Sequence, residues 1–567
     1  MDSFFRTRRT LLQIGMFAPL FGCASFGGDK LGFQAVPVAT EDKVAVPPGY
    51  RADVLYAWGD ATGIAAVEFR WDGSSSAADQ ALQAGMHHDG IEFFPLEGNR
   101  ALLAMNHEYT DDGLLHADGM KTWTADKVRK SQAAHGVSVI EIEQIGGGWR
   151  VVRPSKYARR VTAETQMAIS GPAADSPLIG ARQALGTINN CAAGRTPWGT
   201  YLTCEENFNG YFAHGGAIPP EMRRYGISAR GAGYRWHEFD PRFDAQASPE
   251  EPNRFGWVVE IDPYDPQSQP VKRTALGRFK HEGAMVTLAK DRRVVVYMGD
   301  DERFEYIYKF VSSRPFDGKA RDLLDSGTLY VARFNGDGSG SWLPLGNDER
   351  SLVYTRLAAD AAGATRMDRP EWIAVHPQTG DVYVSLTNND RRGADGQPGI
   401  DGPNPRANNV FGHIVRWSES GGDAAAASFR WSVFALAGEE KGFGSPDGLW
   451  FDPGGTLWIQ TDISTSTLNR GPYAKLGNNQ MLAADVASGE IRRFLTGPNG
   501  CEITGVTMAP DRRSLFINIQ HPGEPASERS DPGAPRAVSN WPDFRADGRP
   551  RSATIVIRRE DGGLVGS

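Results

Sequence analysis

Apolar and polar residues alternate around tight turns along most of this chain. In Gly448-Leu-Trp-Phe-Asp-Pro-Gly-Gly-Thr-Leu-Trp-Ile-Gln two alternating runs flank a Pro-Gly-Gly turn, and Trp372-Ile-Ala-Val-His-Pro-Gln-Thr-Gly-Asp-Val-Tyr-Val repeats the arrangement. Period-two alternation about a short turn predicts a β-hairpin. Six such hairpins follow one grammar: a ligand-type polar residue, an apolar run, a turn, and a strand that ends in polar residues. The first strands begin around Asp89, Cys191, Glu282, Glu371, Asp447 and Glu502. The second strands end at Asn106-His107-Glu108, Cys204-Glu205-Glu206, Gly299-Asp300-Asp301, Asn388-Asn389-Asp390, Thr461-Asp462 and Gln520-His521.

A second series counts the same way. Strand-like runs follow the hairpins at 136–143, 256–262, 305–311, 412–417, 478–484 and 552–558, with further β-rich runs at 149–152, 328–334, 429–436 and 491–495. Four strands per unit and six units predict an all-β fold, a six-bladed β-propeller. The last unit has little chain left for its outer strand, so the run 51–58 is expected to close the ring from the other terminus. The stretches 111–133, 214–253, 394–409 and 523–550 read as loops or short helical insertions on one face. A pair of two-sheet sandwiches is the competing fold. It gives no reason for the polar residue to return at one phase of every unit.

Composition fits this architecture. Among 567 residues there are 66 Gly and 35 Pro without a low-complexity tract, and 40% hydrophobic content supplies a large core. A net charge of −8 excludes a general nucleic-acid surface and favours cation binding.

The N-terminus changes the picture of location. Arg6, Arg8 and Arg9 precede the apolar stretch 11–21, too short to span a bilayer, so residues 1–23 read as an export signal and 24–567 as one propeller domain. Arg8-Arg9, within Thr-Arg-Arg-Thr-Leu-Leu-Gln, resembles the twin-arginine signal, which implies that export machinery as a partner and an exported location, periplasmic or secreted. Leu20-Phe21-Gly22-Cys23 resembles a lipoprotein box, so a lipid anchor at Cys23 to the outer membrane is a further expectation. The remaining cysteines, Cys191, Cys204 and Cys501, are odd in number, so at least one thiol is left outside any internal disulfide. Cys204 and Cys501 are read as core residues or as one disulfide.

The innermost strands of a propeller line its channel, so the repeated phase brings Asp89, Cys191, Glu282, Glu371, Asp447 and Glu502 together. Five carboxylates and a thiol cannot all ionise at close range without compensation. Bound cations supply it: carboxylates suit Ca²⁺, and a thiolate suits a softer metal such as iron or zinc. His87, His88, His107, His281 and His521 flank the ring and read as supports for the ligands. Trp198 reads as a packing residue.

Four segments carry a likeness to a known family: Asn189-Asn190-Cys191-Ala-Ala-Gly-Arg-Thr-Pro-Trp198 running on to Cys204-Glu205-Glu206-Asn207; Gly277-Arg-Phe-Lys-His-Glu-Gly-Ala284; Asn106-His-Glu-Tyr109; and Leu386-Thr-Asn-Asn-Asp-Arg-Arg392. With the twin-arginine signal, these resemble the PhoX-type alkaline phosphatases. The resemblance implies an exported propeller that hydrolyses phosphomonoesters with several calcium ions and ferric iron, expected as a pair, joined by a bridging oxo group. It implies that Cys191, Glu206 and Glu282 hold the iron or the iron–calcium core, and that Asp89, Glu108, Asp300, Glu371, Asp447 and Glu502 serve as further metal ligands. Arg391 or Arg392 is expected to reach the phosphate, with Asn190 beside them, and the choice between Glu205 and Glu206 stays open. Small phosphomonoesters are the expected partners, and a monomer the expected state. A calcium-dependent lactonase or esterase, which needs fewer acids and no thiolate, and a non-catalytic propeller with structural metals are the alternatives.

Overall fold

A computed structural model describes residues 31–527 and 529–567. The proposed signal at 1–23 and Cys23 lie outside them.

Six antiparallel units follow one another around an axis. Their inner strands are His88–Pro95, Asn190–Arg195, Met285–Leu288, Pro370–Val375, Pro446–Phe451 and Glu502–Met508. Each touches the next, and the sixth returns to the first, so the ring is closed. The simplest blades run Pro446–Phe451, Thr456–Thr461, Gln480–Asp485, Glu490–Thr496 in neighbour order. In the sixth blade Glu502–Met508, Leu515–Gln520 and Ala553–Arg559 are completed by Tyr50–Ala57 from the other end of the chain, paired Tyr50 to Arg559 through Ala57 to Ala553. The ring thus closes by the strand that its short last unit required.

Two features were not evident in the sequence. The second blade extends outward through Val271–Arg273, which pairs in parallel with Gln166–Ser170, and then Gln183–Leu185. The third and fourth blades merge at their outer edges, because Ser339–Pro344 pairs with Ser428–Leu436. The insertions carry short helices, of which Ala125–Ala134, capped by Thr124, is the longest. The sequence had missed the helices Glu349–Val353 and Thr355–Ala362. A strap from Leu31 to Pro47 covers the open edge of the fifth blade: Val36 N donates to Arg493 O at 2.9 Å, and Ala45 bridges Thr496. Covering an unpaired edge removes a template for association with other chains. Among the described residues no helix is long and apolar enough to cross a membrane.

The way each inner strand begins decides where its polar residue points. Residues His87, Asn189, Arg369, Ser445 and Gly500, each two before the ring residue of its blade, have φ of 48°, 49°, 58°, 49° and 63°. For the four without a glycine this left-handed backbone is uncommon, and it concentrates where structure is over-determined around a site. The pairing then breaks: His88 faces His107 but Ile91 faces Met105, Pro370 faces Leu386 but Ile373 faces Val384, and Pro446 faces Thr461 but Leu449 faces Ile459. Two residues therefore oppose one, a bulge that re-aims the side chain of Asp89, Glu371 or Asp447. Asn190 to Arg195 breaks in the same way at Cys191 and Ala192. Side chains of second strands hold the bulged backbone. Asn106 Nδ2 donates to Ala192 O at 3.0 Å, Thr387 Oγ1 to Pro446 O at 3.0 Å, and Tyr201 OH to Gly90 O at 2.9 Å. At Gly505, with φ of 51°, a Cβ would stand 2.4 Å from Asp89 O, so only glycine lets the first and sixth blades meet this closely.

Candidate metal centre

At the end of the tunnel where the inner strands begin lies a cavity of 160 Å³ walled almost entirely by polar groups. Cys191 Sγ stands 3.3 Å from Asp89 Oδ2 and 3.0 Å from Glu282 Oε1. Three sets of potential ligand atoms, each set within 4.8 Å, are linked through shared members: Asp89, Glu108 and Cys191; Cys191, Glu206 and Glu282; Glu282, Asp301 and Glu371. A fourth set joins Asp462, Glu502 and His521. Linked sets with common members suit several neighbouring cations better than one isolated ion.

The electrostatics point the same way. Burial, and then the charge of neighbouring carboxylates, pushes Glu108, Glu206, Glu282 and Glu502 well above the ordinary range. Burial does the same to Asp447, whose Oδ1 is enclosed without a hydrogen-bond partner, and to Glu371, with Arg369 in partial opposition. Asp89 is pushed to about 6 by burial, against hydrogen bonds from Thr504 at 2.7 Å and Cys191 at 3.3 Å; Gln520 Nε2 also donates to it at 2.8 Å. The Cys191 thiol is raised by burial and by Asp89 and Glu282. This many acids cannot ionise together in a water-poor pocket without positive charge among them.

Among the described residues, the lysine or arginine that lines the cavity is Arg369, with Lys280 acting on Glu206 and Asp301 from behind the wall. Arg369 donates from Nε to Asp301 Oδ1 at 2.9 Å and from Nη2 to Asp301 Oδ2 at 2.7 Å, and Nη2 lies 3.1 Å from Glu371. Burial would raise Asp301, but this guanidinium holds it below its ordinary value. Among the described residues only Nε and Nη2 of Arg369 have hydrogen-bond or ion-pair partners, and Arg369 lines the cavity together with Asn207, Gln520 and His521. Gln520 Nε2 also donates to Glu108 Oε2 at 3.0 Å, which fixes two acids of one ligand set.

Asp89, Glu108, Cys191, Glu206, Glu282, Glu371, Asp447 and Glu502 are thus brought together. Between the two adjacent glutamates the choice falls on Glu206. Glu205 faces away, bound to Lys272 Nζ at 2.6 Å and to the N–H groups of Gly256 and Trp257.

Four expected residues are placed elsewhere. Asp300 is turned under the third blade onto Arg356, whose Nε donates at 2.8 Å, and its neighbour Asp301 takes the cavity position. The cause is alternation at the strand end: Asp300 bridges His281, which leaves Asp301 facing the axis. Asn190 is buried between Thr187 and Thr203, with its Nδ2 2.7 and 2.9 Å from their hydroxyls. Arg392 is 1% exposed and pairs with Asp368 at 2.8 Å while donating to Gly399 O and Arg366 O, and Arg391 is exposed; neither lines the cavity. Cys204 and Cys501 are buried free thiols. His88, His107 and His281 bond to Thr554, Ser138 and Gly277 O, and burial keeps all three neutral. Trp198 donates to Glu260 at 2.6 Å and packs on Phe316.

Sequence reasoning missed Asp301, Asp462, Arg369, Asn207, Tyr109 and Glu524 as wall residues. Asp462 and Asp301 ended second strands in the repeat, and Arg369 held the position two before a ring acid. Phase alone could have nominated these three.

Comparison with known proteins agrees with the geometry. The family described as "Alkaline phosphatase PhoX" matches residues 31–523. A solved structure of Pseudomonas fluorescens PhoX in complex with vanadate, a transition state analogue, is 47% identical, covers 95% of this chain and 100% of its own, and superposes with a TM-score of 0.90. A gluconolactonase of Xanthomonas campestris is 10% identical over 92% of this chain and 97% of its own, with a TM-score of 0.32. No match was found among curated proteins. By the family match over most of its length and by its near-half identity to a solved member, the chain belongs to the PhoX alkaline phosphatase family.

Proposed function

We propose that this phosphatase hydrolyses phosphomonoesters at the acidic cavity, with calcium and ferric iron as its metals and a twin-arginine signal for export. The observation that carries the metal reading is the chain of three ligand sets linked through Cys191 and Glu282. The donor chemistry fits: the thiol favours a transition metal, the surrounding oxygens favour calcium, and the unpartnered Asp447 Oδ1 calls for a cation or a donor. A single calcium, as a lactonase of this shape would use, leaves most of these carboxylates uncompensated. Cys191, Glu206 and Glu282 would hold the iron, and Asp89, Glu108, Asp301, Glu371, Asp447, Asp462 and Glu502 the remaining ions.

When bound, such ions act as Lewis acids and offset the negative charge that phosphoryl transfer builds up. The chain supplies the rest. Arg369, pinned by Asp301 and Glu371 at Nε and Nη2, presents Nη1 to a phosphoryl oxygen, the preorganised arrangement that favours a charge-building step. Asn207, at the head of the turn after Glu206, donates one amide N–H to Glu206 and has a second N–H to offer from the same wall. Vanadate bound to the Pseudomonas relative supports a phosphoryl group as the occupant. Assay of phenyl phosphate hydrolysis with calcium removed by EGTA and then restored tests the reading: activity should vanish and return, and full activity in excess EGTA would overturn the calcium assignment.

A further inference from the structure

The turn that follows Glu206 is tied into the interior by a chain of buried hydrogen bonds. Asn207 opens the 3-10 turn Phe208–Tyr211, and its carbonyl accepts from Gly210 N at 3.0 Å. On the cavity side its side-chain amide lies against Glu206. On the other side its backbone N–H donates to Asn189 Oδ1, while Glu206 N donates to Asn189 O at 2.9 Å. One residue thus grips the backbone of two adjacent wall residues. The grip is itself held. Asn189 Nδ2 stands 3.4 Å from the hydroxyl of Tyr211, the last residue of the same turn, and that hydroxyl stands 2.8 Å from His135 Nε2. His135 Nδ1 lies 2.6 Å from Ser131 O.

This chain can run in one direction only. A carbonyl accepts and never donates, so the His135 proton sits on Nδ1. Burial keeps the ring neutral, with its pKa pushed down to about 4, so Nε2 retains its lone pair and accepts from Tyr211 OH. With the one phenolic proton committed, the Tyr211 oxygen accepts from Asn189 Nδ2, and the carboxamide is turned so that Oδ1 meets the N–H of Asn207. The reversed carboxamide would set Nδ2 against that N–H, donor against donor. All three side chains are buried, where a donor left without an acceptor costs about 1–3 kcal/mol. The far end is rigid. His135 follows the helix Ala125–Ala134, and the Tyr211 ring is stacked on Tyr234, with centroids 4.2 Å apart, and packs on Trp236 at 4.8 Å. Two insertions of the propeller therefore meet at the turn that carries Asn207.

We infer that Asn189, Tyr211 and His135 are positioning residues for phosphoryl transfer, which hold Asn207 where its second amide N–H can meet a phosphoryl oxygen. The inference rests on the phosphomonoesterase reading above and adds the residues that act through Asn207.

A double-mutant cycle with phenyl phosphate tests it, because residues that act through Asn207 lose their effect once Asn207 is gone. Tyr211→Phe keeps the stacked ring and removes the hydroxyl. It should lower kcat/KM about tenfold and weaken inhibition by inorganic phosphate in parallel, with calcium and iron content unchanged. In an Asn207→Ala background the same substitution should change kcat/KM less than about twofold. Asn189→Gly suits the left-handed backbone, φ 49°, and keeps the carbonyl that binds Glu206 while deleting the amide. It should repeat the pattern, and it decides alone if Tyr211→Phe does not fold. An equal loss in both backgrounds, a loss that tracks missing metal, or wild-type kcat/KM in the folded single variants overturns the inference. So does wild-type kcat/KM in Asn207→Ala, which leaves the phosphatase reading intact. Absence of turnover in the wild-type protein overturns that reading instead.

Discussion

Replacing Arg369 by alanine isolates what the chain contributes beside its metals. In the folded protein Nε and Nη2 are held by Asp301 at 2.9 and 2.7 Å, so the side chain needs no reorganisation to present Nη1. A hydrogen bond to a charged group is worth about 1.5–3 kcal/mol, and a preorganised donor whose partner gains charge in the transition state about 2.7–4 kcal/mol. Arg369→Ala should therefore lose about 10²- to 10³-fold in kcat/KM for phenyl phosphate. Inhibition by inorganic phosphate should weaken in parallel. Metal content should not fall, because Asp301 and Glu371 lose a positive neighbour and become better partners for cations. Arg369→Lys keeps the charge but not the planar fork that grips Asp301 while facing the cavity, so only part of the loss should be recovered. Steady-state kinetics read beside calcium and iron content decide the matter. Wild-type kcat/KM with unchanged phosphate inhibition would refute the assignment, and a loss that merely tracks missing metal would refute the reasoning about Nη1.

Three other outcomes follow from the same geometry. Cys191→Ser should lose iron and activity while retaining the propeller's circular dichroism, since a hydroxyl is a poor substitute for a thiolate; normal iron content would remove Cys191 from the ligand set. Arg392→Met should cost about 3–5 kcal/mol of stability by leaving the buried Asp368 with only the Asn389 and Asn409 amides, yet leave kcat/KM of the folded fraction near wild type; a catalytic loss without a stability loss would contradict its placement. Lys272→Met should destabilise comparably, because the buried Glu205 would lose its ion-pair partner and retain only the N–H groups of Gly256 and Trp257; thermal unfolding indistinguishable from wild type would contradict this.

The hairpin grammar was legible because each blade repeats one problem, covering a strand that faces the axis, and solves it with similar residues. That made the six inner strands and the closure by Tyr50–Ala57 readable in the sequence. The ring acids were readable for the same reason. What failed was direction at strand ends and in loops. Asp300 and Asp301 are both acidic and adjacent, and only the bridge from His281 to Asp300 decides which faces inward. Arg391 and Arg392 follow a second strand, as a phosphate-binding residue might be expected to do, but the loop that returns past Gly399 folds Arg392 onto Asp368. Arg369 was overlooked because an arginine before a proline reads as a turn residue. Its place on the cavity wall goes with a left-handed backbone at Arg369, and φ at a non-glycine residue leaves little trace in a sequence.

The central claim, that linked acids and one thiol make a polynuclear metal site for phosphate ester hydrolysis, meets its most direct test in elemental analysis of the purified, phosphatase-active protein. The account predicts iron together with more than one calcium per chain, both bound in proportion to activity. A fully active protein that carries no iron and a single divalent ion would contradict it.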